Sequence, residues 1–267
     1  MLEKMFKITG KDNKTLKLIK SLKKKSNRTE HGLFVAEGKR LASEALHYAG
    51  ARVKMVVVTE DFLEREADFV KEASAVCDNI FVVTNSAFGE ISDTDTPQGI
   101  LAVVEMADKA VPDLESSKSI VILDGVSEPG NMGTVIRTAE ALGFDGVYVM
   151  KGSADIFGHK TVRATMGSVF RMKFKTDCTL QDIKELKDMN FTVISTTPLG
   201  DTVLEKMDVP EKTAVVIGNE AHGVGDDVLA VSDLRVRISM DGLAESLNAA
   251  VAAGIAMHWI KNSSKKD

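Results

Sequence analysis

Ser119-Ile120-Val121-Ile122-Leu123, then Asp124-Gly125-Val126-Ser127-Glu128-Pro129-Gly130, then Asn131-Met132-Gly133-Thr134-Val135-Ile136-Arg137-Thr138-Ala139 form an apolar run, a turn and a helical pattern in direct succession. The uninterrupted apolar run reads as a strand buried on both faces. Pro129-Gly130 is a turn signal, and Asn131 suits the cap of a helix over 131–142. Working outward on the carboxy-terminal side, strands are expected at 147–150, 172–175, 192–195, 214–217 and 234–238. Helices are expected at 160–166, 180–189 and 245–261. Strands alternating with helices of this length predict an α/β fold whose sheet is mostly parallel and covered on both faces.

On the amino-terminal side the alternation repeats on a smaller scale, with strands at 32–36, 54–59, 80–84 and 100–105 and helices at 39–49, 62–73 and 86–91. Pro112, Ser116 and Ser117 interrupt any apolar periodicity, so a linker is expected over 107–118, separating a small α/β domain at 29–106 from a larger one at 119–267. Ahead of both, 1–28 hold ten Lys or Arg against Glu3 and Asp12, a net +8, so the rest of the chain carries −13 to reach the formal −5. A basic arm of this kind grips phosphates by releasing their counterions, or is a solvated helix end or tail.

The 267 residues, 44% apolar, suit one large domain or two smaller ones with sizeable cores. The longest nearly apolar run, 249–260, has 12 residues including His258, short of the roughly 20 that a membrane span needs. Residues 1–10 lack the apolar core of a secretion signal. Cys77 and Cys178 lie far apart, without zinc-site or disulfide spacing. The expectation is a cytoplasmic protein with reduced thiols, no metal and no membrane segment.

Three segments place small or polar residues just past an apolar strand, where α/β sheets bind ligands. In the first, already quoted, Arg137 either pairs with a carboxylate such as Glu140 or is aimed at a phosphate or developing anion. The second is Val215-Val216-Ile217-Gly218-Asn219-Glu220-Ala221-His222-Gly223-Val224-Gly225, whose glycines let backbone approach a ligand closely. No Lys-Ser or Lys-Thr follows Gly223 and no Gly-x-Gly-x-x-Gly occurs, which disfavours phosphate-loop and dinucleotide chemistry, and with it an oxidoreductase. His222 is either a general base or an exposed loop residue. The third is Ile238-Ser239-Met240-Asp241-Gly242-Leu243-Ala244-Glu245-Ser246-Leu247-Asn248-Ala249-Ala250, in which Ser246 and Asn248 either cap the last helix or face a ligand. Small residues beyond, Ala249 to Gly254, allow close packing against another element or a flat cofactor.

In this order the three segments resemble the signature motifs of the SpoU/TrmH ribose methyltransferases of the SPOUT superfamily. Asn131 with Arg137 resembles the first motif, Gly218-Asn219-Glu220 with Gly223 the second, and Ser246-Leu247-Asn248 the third. Residues 160–171 resemble the family's intervening segment, and Phe34 to Gly38 and Thr96 to Ile100 resemble recurring segments of its amino-terminal substrate-binding domain. Ala221 stands where many members have Gly, and Thr165 where many have Ser. The resemblance implies a deep trefoil knot in the carboxy-terminal domain, S-adenosylmethionine as cofactor, RNA as substrate and a homodimer with active sites at the interface. It further implies cofactor contacts around Gly218, Asn219, Ile238, Met240 and Leu247, with Thr196 and Thr197 beside them, Gly218 leaving space that the cofactor needs.

Methyl transfer to a ribose 2′-hydroxyl needs an oriented oxygen and loss of one proton. A guanidinium is a poor base, so Arg137 is assigned orientation of the hydroxyl and stabilisation of the oxyanion. Asn131, Glu220, Ser246 and Asn248 complete the expected catalytic set. The substrate-binding domain favours ribosomal RNA over transfer RNA; the alternatives are a transfer-RNA 2′-O-methyltransferase and a non-catalytic RNA-binding protein of the same fold.

Overall fold

The structure, a computed structural model, describes residues 5–8, 10, 12–106 and 111–263. As far as Glu105 its elements are β1 (Met5–Ile8), α1 (Lys14–Ser21), α2 (Lys25–His31), β2 (Leu33–Glu37), α3 (Lys39–His47), β3 (Val53–Thr59), α4 (Glu60–Arg65), α5 (Ala67–Val76), β4 (Ile80–Val83), α6 (Asn85–Ile91) and β5 (Ile100–Glu105). Beyond it come β6 (Ser119–Leu123), α7 (Pro129–Ala141), β7 (Gly146–Met150), α8 (His159–Thr165), α9 (Ser168–Arg171), β8 (Phe174–Cys178), α10 (Leu180–Asp188) and β9 (Thr192–Thr196). The chain ends with β10 (Thr202–Val203), a 3-10 turn at Leu204–Lys206, β11 (Thr213–Ile217), α11 (Asp226–Val231), β12 (Leu234–Arg237) and α12 (Ala249–Ser263). It divides into two compact units, Met1–Asp108 with Phe157–Arg171, and Lys109–Ile156 with Met172–Asp267.

In the first unit the described strands form one sheet in the order β1-β4-β3-β5-β2. β4 runs parallel to β1 and β3, whereas β5 is antiparallel to β2 and β3. Two domain boundaries differ from the sequence reading. Of the expected basic arm, residues 1–4, 9 and 11 lie outside the described residues, and the remainder is built into the unit rather than extending from it. β1 pairs with β4, and Leu16, Ile19 and Leu22 enter the same apolar cluster as Val57, Phe88 and Leu101. The spacing explains it: in α1 Lys14, Lys17 and Lys20 take one helical face while Leu16 and Ile19 take the other.

The second difference is Phe157–Arg171, expected inside the larger domain. Phe157 and Phe170 close on Phe34 of β2, with ring centroids 5.0 and 6.0 Å away, and Arg171 pairs with Glu44 of α3 at 2.5 Å. Of the expected linker, 107–110 lie outside the described residues; Pro112 is buried, and a Cβ on Gly146 would stand 2.1 Å from its Cγ. The single helix expected over 62–73 is divided at Glu66, whose φ of −127° leaves the helical region.

In the second unit the described strands form a sheet in the order β10-β12-β9-β11-β6-β7-β8, every pairing parallel. β6, β7 and β11 are buried throughout, as their unbroken apolar runs require. Alternate residues serve opposite faces. Ile120, Ile122, Ala214 and Val216 join Ile183 and Leu186 of α10, and the other face is covered by α7 and α12, which pack on each other. Because all these strands point the same way, the loops leaving β6, β9, β11 and β12 emerge at one edge of the sheet. No helix among the described residues is long and apolar enough to cross a membrane.

Candidate active site

The loop that leaves β11 is closed by two backbone hydrogen bonds between Asn219 and Gly223, at 2.8 and 2.9 Å. The Asn219 side chain completes it: Oδ1 accepts from the N–H groups of Ala221 and His222, and Nδ2 donates to the Gly125 carbonyl at 2.7 Å, tying this loop to the one after β6. Expected as a cofactor contact, Asn219 thus has its amide engaged by the chain itself. Gly218 is required for a reason the sequence did not show. A Cβ there would lie 2.2 Å from the carbonyl carbon of Gly223 and 2.3 Å from the nitrogen of Val224, so the obstacle to a side chain is the loop's own backbone.

The closed loop projects Glu220 toward the start of α7. Its Oε2 accepts from Ser127 N at 3.2 Å and Ser127 Oγ at 3.1 Å; its Oε1 accepts from Glu128 N at 3.1 Å and Asn131 Nδ2 at 2.9 Å. Asn131 is the third residue of α7, not its cap, which is Glu128. A carboxylate only accepts, so it fixes which way the Asn131 amide faces and leaves Oδ1 to receive Nδ2 of Asn248 at 3.0 Å. Asn248 Oδ1 in turn caps α12 by accepting from Ala250 N and Val251 N. Three residues from three distant segments are therefore joined in one directed relay. Burial alone would raise the Glu220 carboxyl, but hydrogen bonds from Asn131 and from backbone N–H groups, its own and those of Ser127 and Glu128, bring it down to about 2.

The other expected residues are placed differently. Arg137 lies on α7, exposed, its guanidinium without a hydrogen bond or ion pair to any described residue, so the pairing with Glu140 does not form. Ser246 is exposed and likewise unpartnered among the described residues, and it does not cap α12. His222 is exposed, its Nδ1 3.2 Å from Asn219 Oδ1. Thr196 spends its hydroxyl on the Val216 carbonyl at 2.9 Å, and Thr197 donates its N–H to the Val236 carbonyl. That last contact belongs to a tight crossing, where a Cβ on Gly200 would come 2.4 Å from the Val236 carbonyl carbon.

Ile238 is half-buried, while Met240 and Leu247 are exposed on the loop after β12. Leu243 in the same loop is fully exposed and Leu199, after β9, is 89% exposed. Neither was expected as a site residue; their signal was an apolar side chain in a loop otherwise rich in Gly, Ser and Asp. From 238 to 247 no N–H or C=O makes a backbone hydrogen bond to another described residue. Free backbone donors and acceptors flanked by exposed apolar side chains fit a flat, polar-edged group such as an adenosyl moiety. No group of three or more His, Cys, Asp or Glu among the described residues could hold a metal ion.

Comparison with known proteins identifies the family. Residues 118–258 match the SpoU rRNA Methylase family, and 13–102 match the MRM3-like substrate binding domain. The 23S rRNA (guanosine(2553)-2′-O)-methyltransferase RlmP of Bacillus subtilis is 32% identical over 257 residues, covering 96% of this chain and all of that one. Among solved structures, the AdoMet-bound rRNA methyltransferase of Sinorhizobium meliloti has a TM-score of 0.83 at 28% identity, covering 97% of this chain and 98% of that one. The SpoU methyltransferase AviRb of Streptomyces viridochromogenes, in complex with AdoMet, has a TM-score of 0.85 at 25% identity, covering 95% and 99%. Fold and matches together define the class, an S-adenosylmethionine-dependent RNA 2′-O-methyltransferase. Within that class, the chain belongs to the SpoU rRNA methylase family.

Proposed function

We propose that this chain methylates a ribose 2′-hydroxyl of large-subunit ribosomal RNA, acting in the cytoplasm as a homodimer. The observation that carries the reading is the Glu220–Asn131–Asn248 relay, intact on a chain that matches the Bacillus rRNA methyltransferase from end to end. S-adenosylmethionine, when bound, supplies an electrophilic methyl group. Backbone of 238–247, flanked by Met240, Leu247 and Leu199, would hold it beside Gly218, and the crossing at Gly200 supports the knotted course that the family resemblance implies.

The chain's own residues then divide the work. Glu220 positions Asn131, and the second N–H of each amide in Asn131 and Asn248 is left to orient the ribose. Glu220 does not take the proton, because all its acceptor capacity is committed. Arg137 stabilises the oxyanion, but not beside the relay of its own copy. Six residues along a helix put it about 9 Å from Asn131 along the axis and roughly 120° around it. A second copy brings such an exposed arginine to the relay. Val251 and Ile255, exposed one turn apart on α12 next to α7, offer the apolar strip that such a copy would cover.

Incubation with labelled S-adenosylmethionine and protein-free large-subunit RNA tests the reading, with transfer RNA alongside. The expected product is a ribose whose 3′-phosphodiester resists alkali. Label on a base, or label only in transfer RNA, overturns it.

A further inference from the structure

The first unit carries a cavity of about 460 Å³ at the end of its sheet where β2 begins and β5 ends, within the size range of small-ligand sites. Its position follows from a bulge. Val53 pairs with Val104 but Met55 with Val103, so Lys54 is an extra residue in β3, and its carbonyl accepts from Asn79 Nδ2 at 3.1 Å. Bulges bend a strand and re-aim side chains, and they concentrate beside functional sites. This one presents Lys54 and Arg52 on one side of the cavity, while Leu33, Met55 and Met106 line it with apolar surface.

Acceptors complete the lining. Glu105 Oε1 takes Lys54 Nζ at 2.6 Å, while its Oε2 is held only by a longer ion pair, 3.7 Å, to Nη1 of the 79% exposed Arg52, a contact that a ligand donor can replace. Asn79 Oδ1 has no partner among the described residues. The Lys54 hydrogen bond keeps Glu105 ionised by lowering its pKa, so this carboxylate presents acceptors only.

Apolar walls for a planar ring, two cations for a phosphate and two acceptors for an amino group describe a nucleotide more closely than a peptide or a lipid. We propose that this cavity receives an unstacked RNA base bearing an exocyclic amino group, with Glu105 and Asn79 reading that group and Arg52 and Lys54 holding the adjoining phosphate. The proposal rests on the reading of RNA as substrate, and places a specificity element in the first unit, apart from the relay. A carboxylate accepting from the amino group of cytosine is a known form of base readout, and unstacked bases are what proteins read in single-stranded RNA.

Cytosine and uracil carry an amino group and a carbonyl at the same ring position, which makes short labelled oligo(C) and oligo(U) the discriminating probes. Fluorescence anisotropy on the full-length protein is expected to show oligo(C) bound at least about fivefold more tightly than oligo(U), the lower end of one specific base contact. Glu105→Gln, whose amide also donates, should level the two. Met55→Trp, filling the cavity without changing charge, should do the same, and Arg52→Ala with Lys54→Ala should weaken both equally. Thermal melting and S-adenosylmethionine calorimetry, unchanged in each variant, show that the fold and the second unit are intact. Equal binding of the two probes by the wild type, or discrimination that survives Met55→Trp, overturns the proposal. If the wild type binds neither probe yet methylates ribosomal RNA, the pocket alone fails; if it does neither, the RNA reading fails with it.

Discussion

A carboxylate that accepts four hydrogen bonds is a fixed point rather than a base, and Glu220 is in that position. Glu220→Gln should cost about 1 kcal/mol of stability, because an amide N–H would face N–H donors. Turnover should fall by about a hundredfold as Asn131 loses its orientation, measured by single-turnover methylation beside chemical denaturation. The pH dependence has a definite sign. The folded carboxyl sits near 2 against an ordinary 4.5, so the stabilisation is complete above pH 4.5 and is lost as pH falls toward 2. The Gln variant should therefore unfold in acid with a shallower slope than wild type over that window. Arg137 calls for a different test. If only its charge mattered, Arg137→Lys would keep most activity; if paired donors must align the hydroxyl, Lys and Ala both lose about a hundredfold to a thousandfold with cofactor affinity unchanged. The second outcome is expected, and a Lys variant within about tenfold of wild type would sink the alignment argument. Asn131, Glu220 and Asn248 were legible through the family resemblance, because their position past strand ends left helix capping equally open for Asn131 and Asn248. The sequence did not show that Asn219 is a staple, because an amide that bonds backbone and one that bonds a ligand are spelled alike.

At the scale of elements, what was legible follows from how strongly a pattern repeats. β5 and β6 begin and end where the sequence reading put them, since each is an apolar run bounded by polar residues and buried along almost its whole length. α1 was missed because its lysines drew a reading of charge, although Leu16 and Ile19 repeat at helical spacing beneath them. β10 has two residues, too few for any period to register, and Phe157–Arg171 joins the first unit through aromatic contacts that local pattern cannot anticipate. The loop after β11 yields the sharpest test of an element. With the Gly218 Cβ position 2.2 Å from Gly223 backbone, Gly218→Ala should already force the loop to shift, costing about 1–3 kcal/mol. Cofactor affinity and stability should fall together, whereas a variant that lost affinity at unchanged melting temperature would restore the simpler idea that Gly218 only makes room for the cofactor.

Over the whole molecule, the proposed RNA-binding face and the proposed dimer can each be tested. Lys14, Lys17, Lys20 and Lys24 are exposed, whereas Leu16, Ile19 and Leu22 of the same segment are buried, so deleting 1–25 would remove core as well as charge. Changing these four to Gln isolates the charge, and the slope of log affinity against log salt should shrink by about 0.7–0.9 for each phosphate that these lysines neutralise; an unchanged slope would take this face out of RNA binding. The proposed assembly has a stricter test, because six residues along a helix turn Arg137 roughly 120° away from Asn131. Consider Arg137→Ala and Asn131→Ala, each inactive alone. If Arg137 acts within its own copy, every site in a mixed dimer lacks one part, and mixing restores nothing. If it acts across a two-fold interface, each mixed dimer holds one site with both parts intact. Random re-pairing makes half the dimers mixed, so about a quarter of wild-type activity should return. Dissociation and re-association before the assay, with subunit exchange followed by native mass spectrometry, makes the comparison quantitative. Full exchange without recovered activity would place Arg137 and the relay in one copy and remove the reason for a shared site.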